Sequence, residues 1–443
     1  MTPEVRRPLS PGERWYWIAD QISPLNVIVR VRLAGHLPNG LLERAAADLA
    51  AEHPLLRVAI RANADGTNPA FAPSSQSIPV RTVRGDDTEW ERCVEEQELT
   101  TAVDWRSGPL VRIVDVVSDA AHEVHDLVLT VAHIIADATT ALSLLRRLVE
   151  HADRLNARAC VDNRVASRPI VGAPEALLPA RYRGPRGITR LAATGLADVL
   201  ATALTQPRRL TPESMVHPSR RRTRLVRRTL TSTQVNTLTR RSREKGVTVH
   251  GVLTAAMAIE IGPTAAQRTS GRICIGSPIN YRSELDPPVS ADEAGTYVAT
   301  VPSIVRFGGH RDIWSIARQI NRSVARRRRF GEHLTSLYGL RFICPRSVAK
   351  SSKVFGLLER NGPLNVCISN IGRYDFPARI GEWGLSGAQF IAGVPSSSYF
   401  VAAVNTSHEE LFWNFTYIDG VVSPQSAKRF ADGCLQTLLG AID

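Results

Sequence analysis

The stretch "HDLVLTVAHIIADATTALSLLRRL", residues 125–148, decides how this chain folds. Its first half is an apolar run of strand length, and its second half sets leucines at helical spacing after Ala138. Between them stand His133 and Asp137, two ionisable side chains where the pattern is otherwise apolar. A strand buried on both faces and ending at His133 puts that imidazole at a strand terminus, beside a crevice. Asp137 then falls at the N-cap, where a carboxylate satisfies free helix N–H groups. A neutral imidazole in that place can serve as a general base near pH 7, taking the proton of a hydroxyl or amine as it attacks a carbonyl carbon. The plainer reading makes His133 a core histidine and Asp137 a helix cap. Spacing alone does not decide between them, because His122 and Asp126 in "HEVHD" repeat it, in what reads as a solvated turn before the strand.

Working outward, "NVIVRVRLAG" (26–35), "LRVAIRANADG" (56–66) and "LVRIVDVVSD" (110–119) read as further strands. "LSPGERWYWIADQ" (9–21) and "LPNGLLERAAADLAAEHPLL" (37–56) read as helices. Residues 155–220, rich in Pro, Arg and Gly, form the expected crossover, interrupted by a short helix at about 190–204. Beyond it come a strand at "TRLVRRTLT", a helix at "STQVNTLTRRSREKG" ended by Gly246, and a helix at "TVHGVLTAAMAIEIG" ended by Gly262. Strands follow at "RICIGSPIN" (272–280), "ATVPSIVRF" (299–307), "LNVCISNIG" (364–372) and "LFWNFTYID" (411–419), and an amphipathic helix closes the chain. With 443 residues, two lobes are expected: 1–175, a crossover at 176–220, and 221–443. The class is α/β (α+β), each lobe a mixed sheet with flanking helices.

Hydrophobic residues at 43% and charged residues at 22% exclude wholesale disorder and fibrous classes. The N-terminal residues lack the apolar core of a secretory signal and no run of about 18 apolar residues occurs, so a cytoplasmic protein without stable membrane insertion is expected. Six scattered cysteines, without a C-x-x-C pair or zinc spacing, predict reduced thiols and no metal. The G-x-S-x-G elbow, the P-loop and the G-x-G-x-x-G loop are all missing, and a direct acyl transfer needs none of them. The net charge of +13 is uneven: residues 1–175 carry 19 basic against 24 acidic residues, and 176–443 carry 36 against 18. The densest runs, "HPSRRRTRLVRR" (217–228) and "NRSVARRRRF" (321–330), suit an anionic partner. They lack the interleaved aromatics of single-stranded nucleic acid binders, and nucleic acid is not expected.

With these segments in order, "AHIIADA" resembles the HHxxxDG signature of the chloramphenicol-acetyltransferase-like superfamily, in particular nonribosomal peptide condensation domains and polyketide-associated acyltransferases. "LSPGERWYW", "EHPLLRVAI", "GPLVRIVDV", "TVHGVLTAAMA", "IGSPINYRSEL" and "CISNIGRYD" resemble other family segments in the same order. The resemblance implies two chloramphenicol-acetyltransferase-like lobes around a central tunnel, with His133 as general base and Asp137 held by Arg282 from the second lobe. It also implies Ser369 and Asn370 as oxyanion or substrate-binding candidates. Arg326, Arg327, Arg328 and Arg329, with Arg220 to Arg222, Arg227 and Arg228, become candidates for docking an acidic acyl or peptidyl carrier protein or coenzyme A. No cofactor is implied beyond the thioester substrate. The expected protein is a monomeric acyltransferase of specialised lipid or polyketide metabolism, esterifying a small-molecule or lipid alcohol. A free-standing amide-forming condensation enzyme and a noncatalytic carrier-docking scaffold are the alternatives. The sequence departs from the signature at Ala132 and Ala138, in place of its first histidine and its glycine, and carries "NFTYIDG" where some relatives have a DFGWG-type motif.

Overall fold

Strand Val124–Ala132 is buried from His125 onward, as its near-continuous apolar run requires. In this computed structural model, which describes residues 4–119, 123–157, 165–266, 268–309, 311–362, 364, 366–395 and 398–443, it lies inside a six-stranded sheet. The spatial order is Arg379–Ile380, Trp383–Ala392, Asn26–Ala34, Val124–Ala132, Val111–Asp119, Val80–Arg84. All neighbours are antiparallel except the last pair. Helix Ala138–Asn156 packs on this sheet and against helix Leu41–Glu52, and Leu42, Leu49, Leu142 and Leu145 share one core. The opening helix, Pro11–Ile22, starts at a capping box between Ser10 and Glu13.

A second six-stranded sheet runs Val298–Gly308, Ser270–Asn280, Val366–Arg373, Phe400–Ser407, Glu410–Ile418, Thr223–Leu230. Its two central pairings are parallel and the rest antiparallel. Helices Val249–Ala266, Ile313–Arg329 and Pro424–Ile442 cover it. The two mixed sheets with flanking helices make an α/β architecture of two lobes.

The lobes are not the contiguous blocks expected. Strand Trp383–Ala392 leaves the second lobe and joins the first sheet, with Phe390 opposite Val29 and Ile391 opposite Ile28. Buried amides fasten it to the second sheet. Asn405 accepts from the Phe390 N–H at 3.1 Å and donates to the Ala388 carbonyl at 2.9 Å, while Asn414 donates to the Phe390 carbonyl at 2.9 Å. Asn414 opens "NFTYIDG", and this is its structural use.

Other expectations change as well. Helix Val249–Ala266 runs through Gly262, where a Cβ would collide with the Phe307 ring, so this glycine serves close helix–strand packing rather than a stop. The short crossover helix is a 22-residue one, Gly184–Thr205. Asp126 is fully buried and paired with Arg30 and Arg32, not solvated; its sequence partner His122 lies outside the described residues, as do Cys160 and residues 158–164 of the crossover.

Candidate active site

His133 follows directly on the end of its strand, and its N–H reaches the Leu25 carbonyl at 3.3 Å. Tyr16, from the opening helix, stacks on the imidazole with ring centroids 4.4 Å apart. Nδ1 is buried without a hydrogen-bond partner, while the ring lines a cavity of about 230 Å³ between the two sheets. Burial holds the pKa of His133 below the ordinary imidazole value, against the opposing pull of its own carbonyl, the Asp137 charge and the Ala136 carbonyl. The ring is therefore neutral at pH 7.

Asp137 caps helix Ala138–Asn156, accepting from the Thr140 N–H at 3.1 Å. Its carboxylate makes no hydrogen bond to His133. Arg282 meets it instead, with Nη2 3.1 Å from Oδ1 and Nη1 2.8 Å from Oδ2, and the Tyr297 N–H donates to Oδ2 at 2.9 Å. Burial would raise this carboxyl, but the Arg282 charge and the donated hydrogen bonds outweigh it and leave the pKa below its ordinary value. The guanidinium also lies over the Tyr297 ring, 4.5 Å from its centroid.

A short second-lobe segment, residues 293–297, pins the whole loop from His133 to Thr140. The Thr296 hydroxyl donates to the His133 carbonyl, Ala136 bridges to Gly295, and the Thr140 hydroxyl lies within hydrogen-bond reach of the Glu293 and Gly295 carbonyls. Gly295 has φ +146°, which side chains rarely adopt, and this lets the segment turn against the loop. These contacts were not foreseen from sequence; the only local signal is the Gly-Thr-Tyr break before strand Val298–Gly308.

Across the cavity, Ser369 and Asn370 lie on strand Val366–Arg373, within the strand expected over 364–372. A register shift between Asn370 and Gly372 lets consecutive residues Ser369, Asn370 and Ile371 all reach the cavity, which strict alternation forbids. The Gly372 N–H occupies Asn370 Oδ1 at 2.8 Å, leaving the amide NH₂ available to donate. Cys367 also lines the wall, but burial pushes its thiol up to about 12, so it is no thiolate nucleophile. On the far side of Asn370 and Ile371 opens a cavity of about 840 Å³, walled in part by Arg240, Arg243 and Arg373. There His250, another residue not singled out beforehand, meets Ser277 at 3.0 Å and is lowered to about 4 by burial.

The second lobe matches the family described as phthiocerol/phthiodiolone dimycocerosyl transferase C-terminus over residues 219–379. The epimerization domain from the third module of tyrocidine synthetase B superposes with a TM-score of 0.73 at 15% identity, covering 100% of this chain and 97% of that one. Polyketide synthase associated protein 5 from Mycobacterium tuberculosis gives 0.69 at 17%, covering 99% of each chain. A trichothecene 15-O-acetyltransferase from Fusarium sporotrichioides gives 0.75 at 11%, covering 99% and 95%. The chain has the chloramphenicol-acetyltransferase-like fold. A search of curated protein sequences found no match.

Within this fold the signature departures occupy different places. Ala132 is the last residue of its strand, and Ala138, 7% exposed, is the first of the following helix and lines the cavity. The arginine runs need correction. Arg327 is buried and paired with Asp198 and Glu332, and Arg328 pairs with Glu284, which leaves Arg326 and Arg329 as exposed members of that run without a salt bridge among the described residues. In the other run Arg221 pairs with Glu359, Arg227 with Glu91 and Arg228 with Asp432. These charges chiefly tie the chain to itself.

Proposed function

We propose that the protein is an acyltransferase in which His133 acts as general base in direct attack of a hydroxyl acceptor on an acyl thioester. One observation carries the reading: a neutral imidazole, held by Tyr16 and by the pinned loop, lines the cavity between the two sheets with its Nδ1 shut away. The nitrogen open to the cavity is then Nε2. It takes the proton as the acceptor oxygen bonds to the thioester carbonyl carbon; the tetrahedral intermediate collapses with C–S cleavage, and the same proton passes to the leaving thiolate. Ester and free thiol result, without a covalent enzyme intermediate. In this reading the Ser369 hydroxyl and the Asn370 NH₂ donate to the oxyanion, supported by their lining the same cavity as His133. Asp137 is a positioning residue, fixing through Arg282 the loop that aims His133.

The donor is a carrier-protein or coenzyme A thioester. Its phosphate is better served by Arg243, with Arg240 and Arg373 from their exposed pairs with Glu244 and Asp375, in the larger cavity than by the Arg326 to Arg329 run, because that cavity shares Asn370 and Ile371 with the central one. Both lobes of one chain complete the site, in keeping with a monomer. The test is intact-mass detection of acyl transfer from a panel of thioesters to a panel of alcohols and amines, with His133→Ala in parallel. Turnover is expected with alcohols and is lost in the variant; amide products would favour a condensation enzyme, and unchanged turnover of His133→Ala removes the general-base reading.

A further inference from the structure

Helix Gly184–Thr205 is inside out. Leu191, Thr194, Asp198, Thr202 and Thr205 lie on its protein-facing side, where Leu191 meets helix Glu332–Ile343 at Gly339 and Asp198 pairs with Arg327 at 2.8 Å. On the opposite side Ile188, Leu196, Val199, Leu200 and Leu204 are more than half exposed, Leu204 by 80%. Single exposed apolar side chains are ordinary, but a continuous apolar stripe along a helix of about 33 Å is not. Among the described residues this helix alone is long and apolar enough to cross a membrane, yet its polar side is committed to the protein, so it can lie on a surface but not span one.

The surroundings indicate which surface. Arg181, Arg183, Arg186 and Arg190 are exposed at the N-terminal end of the helix, and Phe330, 58% exposed, adjoins it through its carbonyl contact with Arg190 at 3.4 Å. Next to that end opens a cavity of about 790 Å³ whose walls carry Arg14, Arg183, Arg341, Arg346 and Lys350 against one carboxylate, Glu175, which is already held by the Gly12 N–H at 2.5 Å. We propose that this face docks on an anionic lipid bilayer, the helix lying in the interface and a headgroup phosphate entering the basic cavity. A second copy of the chain fits less well, because each copy carries a net charge of +13 and the charge that draws an anionic surface repels a like one.

The inference stands apart from the acyl-transfer reading, since binding is measured without turnover. The full chain is floated with phosphatidylcholine vesicles and with vesicles that also contain phosphatidylglycerol. The expected result is binding to the anionic vesicles alone, weakened by salt. Leu196→Glu with Leu200→Glu should reduce the bound fraction at least ~10-fold at unchanged melting temperature, both side chains being exposed. Arg341→Ser with Arg346→Ser should reduce binding and flatten its salt dependence. Failure of the wild type to float, or binding unchanged in the leucine variant, overturns the proposal. A concentration-dependent dimer that the leucine substitutions abolish, without flotation, also overturns it and gives the face to a second copy.

Discussion

Replacing Asp137 by Asn separates a brace from a reactant. The carboxylate side chain is 3% exposed and faces the Arg282 side chain, 5% exposed, at 2.8 Å. Asn keeps one acceptor oxygen, enough for either the Thr140 N–H held by Oδ1 or the Tyr297 N–H held by Oδ2 but not both, and it removes the charge, so the guanidinium is left buried against a neutral group. Breaking one side of a buried pair costs about 3–5 kcal/mol. With an unfolding entropy of about 2.1 cal/mol/K per residue, 443 residues give about 0.9 kcal/mol/K, and the melting temperature falls by about 3–5 °C. Scanning calorimetry reads that shift. Its pH dependence has a fixed sign. The folded pKa of Asp137 is depressed, so the stability it contributes is present above the unfolded value of about 4 and is lost as pH falls through the folded value. The gap between wild type and variant therefore narrows on acidification. Adding Arg282→Met removes the orphaned charge and should return most of the lost stability. Turnover of the folded Asp137→Asn protein should stay well above that of His133→Ala. A variant that melts like the wild type and is as inactive as His133→Ala would put Asp137 in the proton transfer and refute the brace.

Three further outcomes are expected. Because burial lowers the His133 pKa, the acid limb of kcat/KM should fall below about pH 6.5, and a limb above pH 7 contradicts a neutral base. Ala138→Gly removes a methyl from the cavity wall at the first helical position; stability should fall by less than about 1 kcal/mol while the KM of bulkier acceptors drops, and a KM that rises for them shows the methyl to be a contact rather than an obstruction. Asn405→Ala strips the acceptor from the buried Phe390 N–H, while the Ala388 carbonyl keeps the Ser407 hydroxyl as donor, at about 1–3 kcal/mol measured by urea unfolding. An unchanged midpoint there would mean that strand Trp383–Ala392 holds without its amide fastening.

What could be read in the sequence depended on whether the information was local. Strand Val124–Ala132 and the cap at Asp137 were legible because full burial demands an apolar run and a helix start demands an N–H acceptor. Strand Trp383–Ala392 was not, because "WGLSGAQFIA" has no clean alternation: Gly387 has positive φ and the register shifts between Ser386 and Gln389. Its partner strand lies more than 350 residues earlier, and no local pattern specifies that pairing. The arginine runs misled for the same reason. Charge density is a property of the sequence, but whether Arg227 faces solvent or Glu91, 136 residues away, is a property of the fold.

The site divides along the same line, and that division bears on how it works. His133 and Asp137 come as a strand–helix join that one stretch of sequence specifies. What orients them does not: Tyr16 reads as an ordinary aromatic of an amphipathic helix, and Thr296, Tyr297 and Arg282 arrive from the other lobe. A first lobe alone would therefore carry the imidazole with an unpaired, buried Asp137 and a loose loop behind it. Closure of the two lobes supplies the Arg282 charge that makes burial of Asp137 tolerable, and in the same contact supplies the Thr296 hydroxyl that holds the His133 carbonyl. Aiming of His133 and assembly of the interlobe interface are then one event, so substitutions at residues 293–297 should disturb turnover before they disturb either lobe's own core.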